Sequence, residues 1–154
     1  MRKAMDAITI IGWILALANL ILVGVTIRSQ WLSNSAILVA SFEQQFGSEE
    51  MIESRRKTAL TIRDELQSPE NTRLLTGYWP VLSFYDGIGA MVRRKAINKT
   101  LVLDRFGWRV VRCYYALTKE TNLLSRTRDA GEEPNLYEHF VWLGKEMEKR
   151  YEKG

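Results

Sequence analysis

Twenty-one consecutive residues, Ala7 to Ile27, carry no charge, and this run constrains the chain more than any other feature. At a rise of about 1.5 Å per residue it makes a helix about 30 Å long, the thickness of a bilayer's hydrocarbon core. Its polar side chains, Thr9, Asn19 and Thr26, are tolerable in lipid where neighbouring helices or backbone carbonyls satisfy them. A cleavable signal peptide is the competing reading, because Arg2 and Lys3 form a basic start and Ala16-Leu17-Ala18 resembles a small-residue cleavage site. The apolar stretch runs on for nine residues beyond that site, however, and ends in Arg28-Ser29-Gln30-Trp31, a charged stop with an interfacial aromatic. The expectation is a transmembrane anchor over residues 1–28 and a separate domain over residues 29–154.

Small and polar residues are ordered within the anchor. Thr9, Gly12, Ala16, Asn19, Val23 and Thr26 recur at spacings of 3, 4, 3, 4 and 3, which places them on one helical stripe. Ile10, Trp13, Leu17, Leu20 and Ile21 fall on other faces. Helices in lipid associate by close packing at small residues and by interhelical hydrogen bonds, so this stripe is the expected surface for self-association, with Asn19 as its polar contact. The bland alternative is that small residues are simply common in spanning helices.

The remaining stretch of about 125 residues suits one domain with a single core. At 46% hydrophobic and 26% charged residues over the whole chain, the composition is that of a folded protein rather than a disordered one. The single cysteine, Cys113, lies in an apolar helical pattern with Val110 and Leu117 and is expected to be a buried small hydrophobe. That fits a reducing compartment. Arg2 and Lys3 against Arg28 alone favour, by charge, the opposite placement, with the N-terminus inside.

Periodicity predicts helices throughout the domain, an all-α class with a bundle of about four or five helices after the anchor. The stretch with Trp31, Leu32, Ile37, Leu38, Phe42 and Phe46 reads as a helix continuing from the membrane. A second helix is predicted from Ser48 to about Leu66, with Glu49 and Glu50 in its first turn and Ile52, Ala59, Ile62 and Leu66 inward. Trp79-Pro80 opens a helix with proline in its first turn and Val81, Tyr85, Ile88 and Val92 on one side. Asn98 reads as the N-cap of a helix whose apolar line, Leu103, Phe106, Val110, Cys113, Leu117 and Leu124, extends over several turns. Gly107 would bend it or admit a close neighbour. Asp129 to Asn135 reads as a loop, before Leu136, Phe140, Leu143 and Met147 at spacings of 4, 3 and 4.

Catalytic motifs are sparse. One histidine, His139, and one cysteine do not supply a zinc set, no phosphate-cradling Gly-rich loop is present, and no cofactor or metal is expected. The adjacent acids Asp64-Glu65 and Glu132-Glu133 lack the placement of a catalytic dyad. His139 reads as a structural residue. Its sharper alternative is an acid/base and phosphate-binding couple with Arg126 or Arg128, eleven or more positions away in sequence, acting on RNA. The basic triplets Arg55-Arg56-Lys57 and Arg93-Arg94-Lys95, with a net charge of +4, suit an anionic surface. A plain solvated surface is the ordinary reading of such clusters; as partners, lipid headgroups beside an anchor come before nucleic acid.

Tyr78-Trp79-Pro80-Val81-Leu82-Ser83-Phe84-Tyr85-Asp86-Gly87-Ile88-Gly89-Ala90-Met91-Val92, Ala96-Ile97-Asn98-Lys99, Arg105-Phe106-Gly107 and a Tyr114-Tyr115 helix ending near Arg126 together resemble a family of bacterial proteins. Its members have an N-terminal membrane helix and a small helical domain of unknown function. That family is in turn similar to the small membrane proteins accompanying type VI-B CRISPR effectors, which form oligomeric pores on a fold related to HEPN ribonucleases. The resemblance implies the bacterial inner membrane, a cytoplasmic domain and a homo-oligomer, with a pore in a defence or stress context. HEPN active sites place a histidine a few residues after an arginine, and no histidine follows Arg126 or Arg128 in that way. The expected function is a membrane-anchored interaction or assembly module with lipid, itself and a protein partner as contacts. The alternative is a tethered HEPN-like ribonuclease.

Overall fold

The computed structural model describes residues 2–67, 79–131 and 133–151, with side chains from residue 12 onward. Six α-helices are present, and no strand occurs among the described residues. The apolar run and the stretch after it form one uninterrupted helix, α1 (Arg2–Phe46). No proline or helix-breaking pair interrupts residues 28–46, so the backbone ladder continues past the charged stop. Residues 12–34 are exposed along their whole length, and contact with the rest of the fold begins in the second half of the helix. There Ser35, Val39 and Phe46 are buried and Phe42 partly so, at spacings of 4, 3 and 4, which turns one stripe toward the bundle.

Gly47 closes α1 by donating to the Glu43 carbonyl at 3.0 Å. Ser48 then caps α2 (Glu49–Gln67), its Oγ accepting from Met51 N at 3.3 Å. The side of α2 that faces inward differs from the expected one. Met51, Thr58 and Glu65, at seven-residue spacing, are buried, whereas Ile52 and Leu66 are about half exposed at 49% and 54%. Leu66 and Ile62 border an open groove against Trp108 and Tyr151 instead.

Pro80 opens α3 (Pro80–Arg93), and Val81, Tyr85, Ile88 and Val92 are all buried as the pattern required. Asn98 caps α4 (Lys99–Tyr115) through its side-chain oxygen, which accepts from Thr100 N at 2.8 Å and Leu101 N at 3.3 Å. The long apolar line after Asn98 is not one helix. It passes into a π-helical turn at Ala116–Glu120, where Thr121 N reaches the Ala116 carbonyl, and breaks at Asn122, whose φ is +52°. The interruption re-aims the chain so that Leu117, Leu123 and Leu124 are all buried. α5 (Leu123–Gly131) then occupies part of the expected loop, which shrinks to the residues before α6 (Glu138–Tyr151).

Phe46, Phe84, Tyr85, Phe106, Tyr114 and Phe140 form the aromatic centre of the core, neighbouring rings lying 5.6–6.4 Å apart. Two glycines let α6 sit close. A Cβ on Gly89 would lie 2.4 Å from the His139 carbonyl oxygen, and one on Gly144 would lie 2.5 Å from the Tyr114 ring. Gly107 admits the Tyr151 hydroxyl, which would be 2.9 Å from a Cβ there, so its role is close approach. Asp86 of α3 completes the junction by accepting from Phe140 N at 2.8 Å, a carboxylate at the positive end of α6.

Candidate functional site

Most cations of the domain have an acid beside them. Arg56 and Lys57 share Glu53, Lys99 and Lys149 share Glu146, and Lys119 meets Glu148, which also accepts from the Tyr115 hydroxyl. These are surface pairs, which water and salt screen and which contribute little to stability. Lys119 and Tyr115 hold the Glu148 carboxyl below the usual carboxylate range, and Lys149 and Lys99 do the same for Glu146. Against that background two groups of cations have no acidic partner among the described residues. Arg28, Arg94 and Lys95 lie where α3 ends beside α1, and Arg55, Arg109 and Arg112 lie between α2 and α4.

The first group is built by a helix terminus. Beyond Arg93 the chain turns back, with Lys95 N donating to the Val92 carbonyl and Ala96 N to the Met91 carbonyl. This is a Schellman closure whose left-handed position, usually glycine, is Lys95 at φ +59°. The turn is fixed to α1 by two contacts. Trp31 Nε1 donates to the Lys95 carbonyl at 3.3 Å, and Asn98 N donates to the buried Ser35 hydroxyl at 3.2 Å. Arg94 and Lys95 are thereby carried to the level of Trp31, one turn from Arg28 and the apolar half of α1. Arg93 is turned aside, 3.3 Å from Glu138.

The two triplets therefore end in different places. Arg93-Arg94-Lys95 divides between an ion pair and the Trp31 level. Of Arg55-Arg56-Lys57, Arg56 and Lys57 pair with Glu53, and Arg55 lies near the far end of α1 with its Cζ 4.1 Å from the Phe46 ring centroid. Phe46 follows Trp31 by fifteen residues, about 22 Å along the helix axis.

The fold does not assemble Arg126, Arg128 and His139. Arg126 pairs with Glu65, which is 2% exposed. The Arg128 guanidinium donates twice to the Leu136 carbonyl, at 2.8 and 2.6 Å. His139 Nδ1 lies instead 3.4 Å from Arg93 Nη1 and 3.5 Å from Glu138 Oε1. Among the described residues no cluster of three or more His, Cys, Asp or Glu could hold a metal ion.

The second cationic group lines a cleft of about 430 Å³. Phe46, Tyr85 and Cys113 border it, and Arg109 also approaches the Phe46 ring, at 5.1 Å. Cys113 is only partly buried by its neighbours, yet burial still pushes its thiol up to about 12. Burial raises the Tyr85 hydroxyl above its ordinary range, with Cys113 adding in the same direction and Arg109 and Arg55 opposing it. Arg109, Arg112 and Tyr85 were not singled out from the sequence as binding residues. Arg105, Arg109 and Arg112 do recur at spacings of 4 and 3, a visible cationic stripe, but only the fold shows that Glu43 takes the first and leaves the other two.

In the apolar half of α1, Gly12, Ala16, Asn19, Val23 and Thr26 are exposed, and a Cβ on Gly12 would meet nothing within 4 Å. The Thr26 hydroxyl donates to the Leu22 carbonyl at 2.9 Å, while Asn19 has no hydrogen-bond partner among the described residues. Thr9 lies outside the residues whose side chains are described. Among the described residues, α1, with its exposed, apolar first half, is the one helix long and apolar enough to cross a membrane. A family model described as "Domain of unknown function (DUF4760)" matches residues 7–147. No curated protein and no solved structure matches the chain.

Proposed function

Because the chain belongs to the DUF4760 family, whose domain has no assigned activity, we propose its function from the geometry: a single-pass membrane protein whose helical bundle works at the membrane surface as an assembly module. The observation that carries this reading is the continuity of α1. One helix is bare and apolar in its first half and packed into the bundle in its second, so the domain is held at a set distance and rotation from the bilayer. The Trp31–Lys95 bond then lays Arg94 and Lys95 against the headgroup layer beside Arg28. Each such cation near an anionic surface contributes about 1 kcal/mol. Three cations at this face suit the anionic lipids of a cytoplasmic leaflet and so favour a cytoplasmic domain at a bacterial inner membrane.

Self-association follows from Asn19. A carboxamide in hydrocarbon with no partner among the described residues favours a second helix, and Gly12 and Ala16 on the same stripe let that helix approach. A homo-oligomer enclosing a pore is one product of such packing and a dry bundle is another. Arg126 and Arg128 are engaged away from His139, so the ribonuclease alternative gains no support from the arrangement.

The test is the mass of the full-length protein in lipid nanodiscs beside Asn19→Leu. A discrete assembly that loses subunits on substitution supports the proposal, and an unchanged oligomer removes Asn19 from it. A wild-type monomer overturns self-association.

A further inference from the structure

The cleft between α2 and α4 carries chemistry that membrane attachment does not use. Arg55 and Arg109 both lie against the Phe46 ring, so their guanidinium carbons are no more than about 9 Å apart, close to one Debye length in a physiological medium. Arg112 lines the same space. None of the three has an acidic partner among the described residues, although carboxylates elsewhere in the domain take two cations each. Charges gathered this way repel one another, and the repulsion becomes attraction once an anion enters. Arg55 Nε is buried without an acceptor among the described residues, and Tyr85 borders the same space. A buried donor left unmade carries its full desolvation cost, which a ligand oxygen would offset.

We propose that this cleft binds the phosphoryl group of a small soluble phosphate monoester. A dianionic phosphoryl group offers three oxygens to the Arg55 and Arg109 forks, with Arg112 and Tyr85 on the border of the same space, where a single carboxylate offers two oxygens and one charge. Ile62, Val81 and Ala116 supply apolar wall for the organic part, and the volume is in the range that holds small ligands. A headgroup of the anchoring membrane is out of reach, because Phe46 lies about 22 Å along α1 from Trp31.

The experiment is calorimetric titration of the full-length protein in detergent with adenosine monophosphate and with inorganic phosphate, alongside adenosine and succinate. The expected result is saturable binding of adenosine monophosphate, displaced by inorganic phosphate and not reproduced by adenosine or succinate. Arg55→Gln and Arg109→Lys should each weaken it at least about tenfold, the second by removing the fork while keeping the charge. Arg94→Gln, at the Trp31 level, should bind like the wild type. Melting of each variant without ligand reports its fold. Should an arginine variant fail to fold, Tyr85→Phe replaces it and should weaken binding several-fold. No saturable binding of either phosphate probe at millimolar concentration overturns the proposal, as does undiminished binding by the folded cleft variants. Succinate binding as tightly as adenosine monophosphate overturns the assignment to phosphate. An unchanged oligomer in nanodiscs for the cleft variants keeps this result separate from that of the anchor.

Discussion

Gly87 and Gly89 lie two residues apart on α3, and the same substitution should have opposite effects at the two sites. Alanine in a helix interior is better than glycine by about 1 kcal/mol. At Gly87 a Cβ would meet nothing within 4 Å, so Gly87→Ala should gain most of that amount. At Gly89 the new Cβ would sit 2.4 Å from the His139 carbonyl oxygen and 2.8 Å from its carbonyl carbon. Both are backbone atoms, which cannot swing aside as a side-chain tip does. Ordinary contact requires α3 and α6 to separate by nearly 1 Å, and overpacking of this kind costs about 1–3 kcal/mol, with the Asp86–Phe140 bond strained as well. The propensity gain is common to both sites, so Gly89→Ala should be neutral to destabilising on balance and lie about 1–3 kcal/mol below Gly87→Ala. For a bundle of this size that separates the two melting temperatures by roughly 4 °C or more. Thermal unfolding of the full-length proteins in one detergent, followed by tryptophan fluorescence, measures it. If Gly89→Ala melts as high as Gly87→Ala, the close α3–α6 contact is not what holds these helices together.

Two further outcomes follow from buried ionisable groups. Arg126→Ala should cost about 3 kcal/mol because it strands Glu65, which is 2% exposed and already has one oxygen without a partner. Adding Glu65→Leu should restore most of the loss in chemical denaturation, and a single variant within 1 kcal/mol of wild type would mean that the pair is not a structural one. Cys113 should react with maleimide at pH 8 at least about tenfold more slowly in the native protein than in the urea-unfolded chain, since its thiol is pushed up to about 12. The native state then holds that proton to higher pH than the unfolded chain. Its contribution to stability is full below about pH 8.5 and is lost as pH rises toward 12, so Cys113→Ala should flatten the alkaline fall in melting temperature. Equal labelling rates in the two states would contradict the burial argument.

Several features were determined by local sequence alone. The apolar length of Ala7 to Ile27, proline at the start of α3, the Asn98 cap and the three- and four-residue spacing of Phe140, Leu143 and Met147 act within a few residues of themselves, and each appears in the fold as its pattern dictates. Other features depended on which neighbour arrived. Periodicity marked Ile52 and Leu66 as inward, but α2 turned Met51, Thr58 and Glu65 to the core, because a helix with apolar residues on more than one side takes its orientation from the surface it meets. The break after the π-helical turn carried no proline or glycine to announce it.

The candidate sites show the same division. A basic triplet is visible in any sequence, yet whether a cation is free or neutralised depends on acids far away along the chain. Glu138 took Arg93, Glu43 took Arg105 and Glu65 took Arg126, leaving Arg94 and Lys95 beside Trp31 and Arg109 beside Arg55. Charge compensation acts through space over a few ångströms, and contacts 45 to 62 residues apart are set only when the helices pack. Local pattern thus determined most of the helices and the apolar first half of α1, and tertiary packing decided which charged groups were left open to bind anything else.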